Sequence, residues 1–108
     1  MSYSARRARV FVQGRAAATL EEVERGRRYR LVYDADYEGT PVSLTMPVGP
    51  RVYDFHKFPP FFEGLLPEGV MLDALIRQLK IDANDYFGQL LAVGRDMVGA
   101  VTVEEINT

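Results

Sequence analysis

The sequence has 108 residues, 47% apolar and 26% charged, with a formal net charge of −2 and no cysteine. That is one domain of ordinary globular composition, long enough for a single core. It excludes a disulfide framework, a thiolate nucleophile and a cysteine-ligated metal. The apolar runs fall far short of the ~20 residues of a membrane helix, and no secretory h-region follows Arg6, Arg7 and Arg9, so a cytoplasmic location is expected.

In chain order, Arg9 to Gln13 alternate around Val10 and Val12, Gly14 punctuates the run, and Ala16 to Leu20 continue it as a hairpin. Arg28 to Tyr33 set Tyr29, Leu31 and Tyr33 on one face of a third strand. Val42, Leu44 and Met46 alternate as a fourth, reached through the turn-rich segment Asp34 to Pro41. The period then changes. Pro59 and Pro60 open a short helical turn that Pro67 stops, and Pro67 suits the first position of the next helix. There Leu72, Leu75, Ile76 and Leu79 fall at i, i+3, i+4 and i+7, which predicts a buried stripe. A third helix is expected from an Asn84 cap, with Tyr86, Phe87, Leu90 and Leu91 on one side and Gly94 as its C-cap. Ala100 to Val103 read as a closing strand. The expectation is a single α+β domain over 1–108, with strands at about 9–46, helices at about 59–93 and a closing strand at about 100–104. About five strands make a small antiparallel sheet or partly closed barrel, packed with two or three short helices.

Signs of bond chemistry are missing. The single histidine, His56, stands among aromatics with no nucleophile–base pairing, and nothing has metal-ligand spacing. The glycines form neither phosphate-binding pattern. The carboxylate pairs Glu21/Glu22 and Asp34/Asp36 read as solvated turn charges. No catalytic, cofactor-binding or metal-binding residue is therefore expected. Charge is uneven, however: residues 1–30 hold eight arginines against Glu21, Glu22 and Glu24. This permits a nucleic-acid surface of Arg6, Arg7, Arg9, Arg15, Arg27, Arg28 and Arg30 with Tyr3, Phe11 and Tyr29. The other dense feature is apolar: Phe58, Phe61, Phe62, Leu65, Leu66, Val70 and Met71 within fourteen residues, bracketed by Pro60 and Pro67.

The blocks Phe61-Phe62-Glu63-Gly64-Leu65-Leu66-Pro67-Glu68 and Gly94-Arg95-Asp96-Met97-Val98-Gly99-Ala100-Val101, the Phe87…Leu91 helix and the upstream Pro41-Val42-Ser43-Leu44-Thr45-Met46-Pro47 resemble the N-terminal subdomain of HipA-type toxin kinases. A HipA-type kinase continues past this subdomain into its catalytic elements, whereas this sequence stops at Thr108. A free-standing copy resembles HipS, the small component of HipBST toxin–antitoxin systems. The resemblance implies a non-catalytic antitoxin that neutralises a HipT-like kinase chain, with a HipB-like helix-turn-helix protein as third component. The expected partner surface is Phe61, Phe62, Glu63, Leu65, Leu66, Pro67, Glu68, Val70 and Met71. Two other functions remain open: a subunit that completes or activates a split kinase, and the arginine-based nucleic-acid module.

Overall fold

A computed structural model describes residues 6–97 and 99–106; Tyr3 and Val98, singled out above, lie outside them. Three strands, β1 (Arg6–Val12), β2 (Arg15–Glu24) and β3 (Arg28–Tyr33), follow one another as hairpins. The first hairpin turns at Gln13-Gly14, both at positive φ (52° and 80°), the primed geometry whose twist matches that of the flanking strands. After a long loop come β4 (Val52–Phe55), α1 (Pro60–Glu63), α2 (Gly69–Leu79), α3 (Tyr86–Val93), a 3₁₀ turn (Gly94–Asp96) and β5 (Val101–Glu105). The sheet is antiparallel, five-stranded and open, in the order β4-β3-β2-β1-β5. The fold class is α+β, and the sheet does not close into a barrel.

Alternation sorts the side chains. Ala8, Val10 and Val12 of β1 share a buried face with Ala18 and Leu20 of β2, Leu31 and Tyr33 of β3, and Val101 and Val103 of β5. Phe62, Leu66, Phe87 and Leu90 from the helical half join this core. Tyr29 stacks on Phe87 at 6.3 Å and meets Phe58 edge-on at 5.4 Å, which fixes α3 over this face. Each buried aromatic contributes roughly 1.5–3 kcal/mol of transfer free energy. On the opposite face runs a row of alternating charge: Arg7 opposite Glu21, Glu21 opposite Arg30, and Arg30 opposite Asp54.

Three local expectations are corrected. The fourth strand is Val52–Phe55, not the stretch around Val42 to Met46. Val42 and Met46 are buried, but their backbone partners are the Tyr33 phenol and a tight Ser43–Met46 turn rather than a neighbouring strand. Leu44 therefore sits at a turn tip and not with the core. Pro67 precedes the helix instead of opening it, because Glu68 is extended (φ −125°, ψ 164°) and Gly69 is the first helical residue. Asp85, not Asn84, caps α3, its carboxylate accepting the Gly88 N–H at 3.0 Å. Gly94 is the C-cap of α3 as expected, with right-handed geometry (φ −58°).

The need for glycine at Gly94 is space. A β-carbon there would run into the backbone carbonyl and side chain of Val103, so only glycine lets the 3₁₀ turn lie against β5. Gly94→Ala is expected to cost about 1–3 kcal/mol through the forced separation, read as a lowered midpoint in thermal unfolding with the far-UV spectrum retained. A midpoint equal to that of the unsubstituted chain would show that the turn gives way freely.

Candidate partner interface

The proline-bracketed segment folds as a ridge with apolar ground on both sides. Pro60, at the first position of α1, has no N–H to leave unsatisfied there. Among the nine residues named from the sequence, Phe62 and Leu66 are buried and hold the segment to the core from beneath. Phe61, Leu65 and Pro67 are half-buried, while Glu63 and Glu68 are exposed. Val70 and Met71 stand out at 83% and 73% exposure. Seven of the nine thus reach the surface.

The amphipathic stripe of α2 is real, but it is not buried. Leu72, Leu75 and Ile76 are half-exposed, Leu79 is exposed, and α2 contains no buried residue. Among the described residues the stripe is therefore only partly covered. Between α2 and the end of α3 a groove of about 570 Å³ is lined by Leu65, Pro67, Met71, Leu75, Val93 and Met97. Leu75, Val93 and Met97 were not singled out as surface residues from the sequence. The Met97 signal lay in the Gly94-Arg95-Asp96-Met97 block, and the Leu75 signal was misassigned to the core.

Electrostatics set this surface apart from the arginines. Arg6 binds Glu22 through Nε (2.8 Å) and Nη2 (3.0 Å), and Asp85 through Nη1 (3.1 Å) and Nη2 (2.7 Å). Its guanidinium also lies 5.3 Å over the Phe87 ring. The Asp85 hydrogen bonds hold the Arg6 pKa further above its usual range, against the desolvation that lowers it, with Glu22 adding to the rise. In return Arg6 holds Asp85 below the ordinary carboxylate value. Glu22 is no solvated turn charge: it lies in β2 at 1% exposure and also accepts the Gly26 N–H at 3.1 Å.

Four of the other six arginines named for a nucleic-acid surface are engaged as well. Arg9 forks onto Asp34 (3.0 and 2.6 Å), Arg30 binds Asp54 at 2.7 Å, Arg28 reaches Glu24 at 3.7 Å, and Arg15 covers the Tyr37 ring. Acids of the later chain thereby offset the basic first third. Tyr29, required for base stacking, is buried. A polyanion surface needs unengaged arginines beside exposed aromatics, and most of the residues named for it, with Arg6, Arg9 and Arg30 ion-paired and Tyr29 buried, are committed elsewhere. Among the described residues no cluster of metal-ligating side chains occurs and no helix is long and apolar enough to cross a membrane. His56 is exposed.

Comparison with known proteins agrees with the fold. A family model described as HipA N-terminal domain matches residues 8–104. An uncharacterized protein of Haemophilus influenzae is 34% identical over 100 residues, covering 93% of this chain and 92% of that protein. The Sinorhizobium fredii protein "Putative kinase Y4dM" is 32% identical over 103 residues, but the match covers only 25% of its length. A solved structure, "N-terminal domain of HipA toxin", superposes with a TM-score of 0.79 at 30% identity, covering 100% of this chain and 99% of the other.

Proposed function

Because the chain belongs to the HipA N-terminal domain family, we propose that it is a non-catalytic binding subunit that neutralises a HipA-type Ser/Thr kinase in the cytoplasm, as HipS-like antitoxins do. The observation that carries this reading is the uncovered apolar surface of α1 and α2, with Val70 and Met71 at its crest and no core position in α2. In the Sinorhizobium relative the same domain accounts for a quarter of a chain with a kinase name. The remaining three quarters of such a chain are the natural cover for this surface. A separate kinase chain would meet it as one domain meets another, over roughly 600–1,500 Å². A HipB-like DNA-binding protein fits as a third component that recruits the pair to an operator.

The test uses the HipA-type kinase of the same genome that lacks a domain of this family. Autophosphorylation of the purified kinase is expected to fall in proportion to added chain and to stop at equimolar concentration. Co-expression is expected to relieve growth arrest. Stimulated autophosphorylation would favour the completing subunit instead, and absence of any complex would overturn the reading.

A further inference from the structure

We propose that Leu44 is an anchor seated in an aliphatic pocket of that same kinase, so that the partner surface extends from α1 and α2 to the Ser43–Met46 turn. The proposal rests on the kinase-binding reading. Leu44 is 93% exposed, more than any other large apolar residue of the described chain, although Val42 and Met46 on either side are buried. The turn that carries it is fixed. Met46 N–H closes it onto Ser43 O at 3.0 Å. The Tyr33 phenol, rooted in β3, donates to Met46 O at 2.5 Å and accepts from Val42 N–H at 2.9 Å. Burial pushes the Tyr33 pKa up, so the phenol keeps the proton that this clamp uses.

The two hydroxyls beside the leucine are tied to each other. Ser43 Oγ and Thr45 Oγ1 share a hydrogen bond of 2.9 Å, and Thr45 N–H reaches Ser43 Oγ at 3.2 Å. Covering Leu44 therefore leaves one hydroxyl hydrogen for an acceptor on the partner. A preformed turn also loses little conformational freedom on binding, which suits a contact anchor.

Continuity with the α1 surface names the occupant. A second groove, about 300 Å³ and mostly apolar, separates the turn from α1 and is lined by Thr45, Met46, Tyr53, Phe55, Pro60 and Phe61. Phe61 borders this groove while Leu65 borders the larger one, so α1 is a ridge between two grooves. A protein surface that covers Met71 and the ridge reaches Leu44 on the far side. Shape and polarity call for a partner with an aliphatic socket, not for a polyanion or a charged peptide.

The experiment titrates the same kinase with Leu44→Met, Leu44→Ala, Leu44→Asp and Met71→Glu by calorimetry, with a thermal midpoint for each variant. Leu44→Met is expected to bind as the unsubstituted chain does. Leu44→Ala is expected to bind about 10-fold more weakly and Leu44→Asp about 100-fold, with midpoints unchanged. If the Leu44 variants bind normally while Met71→Glu binds weakly, Leu44 is no anchor and the kinase reading stands. A lowered midpoint for Leu44→Ala would make the leucine structural and end the proposal. If the unsubstituted chain forms no complex, the reading and this inference fall together.

Discussion

Arg6→Ala is expected to lower the unfolding free energy by about 3 kcal/mol near neutral pH and to flatten its response to acid. Arg6 is the cation shared by Glu22 in β2 and Asp85 at the start of α3. In the intact chain Asp85 has a folded pKa below its unfolded one. Its contribution is therefore present above the ordinary carboxylate range and lost as the pH falls through it. Without Arg6, Glu22 keeps the Gly26 N–H but loses the guanidinium that offsets its burial. Asp85 then loses the main cause of its lowered pKa, so the variant gives up less stability than the intact chain as the pH falls below about 5. Arg6→Lys, which retains charge but cannot fork between two carboxylates, should fall between the two. Urea unfolding from about pH 7 to about pH 3 reads both slopes, and parallel curves would show that Arg6 does not hold Asp85 down.

The second large effect is expected at the interface. The double substitution Val70→Glu, Met71→Glu should weaken kinase binding about 100-fold or more and restore autophosphorylation, because two carboxylates would lose water against an apolar partner. Folding should be unaffected, within about 0.5 kcal/mol, since both side chains already face solvent. Asp73→Asn, on an exposed position of the same helix, serves as the control and should change neither property. Full neutralisation by the double variant would place the kinase contact elsewhere on the chain.

Much of the fold was legible because it is written in local patterns. Strict alternation located the first three strands and the closing one, and the i, i+3, i+4 spacing located α2. What alternation could not reveal was which partner each segment would meet. Val42, Leu44 and Met46 carry a strand's pattern, yet the Tyr33 phenol takes hydrogen bonds that a ladder would have supplied. Tyr53 and Phe55 of the real β4 were obscured by the charged and polar residues between and after them, Asp54 and His56. The stripe of α2 was visible, but periodicity gives a face without saying whether protein, partner or water lies against it. Glu22 looked like a surface charge because its partners, Arg6 and through it Asp85, are brought together from 16 and 79 residues apart. The candidate surface was found from composition alone. Its division into buried supports (Phe62, Leu66) and exposed side chains (Val70, Met71) needed the third dimension.

The β1–β5 pairing has a mechanical consequence. Ala8 lies opposite Glu105, and the Ile106 N–H binds Arg7 O at 3.0 Å, so the first and last described strands meet at one rim of the sheet. A pull on the C-terminal side meets the pairs of this antiparallel ladder one after another rather than all at once. Tension there would unzip β5 from β1 in single steps, uncovering Val103 and then Val101 and taking away the strand against which Gly94 packs. The domain is thus weakest to force in the direction of its own tail, whatever its resistance to heat or denaturant.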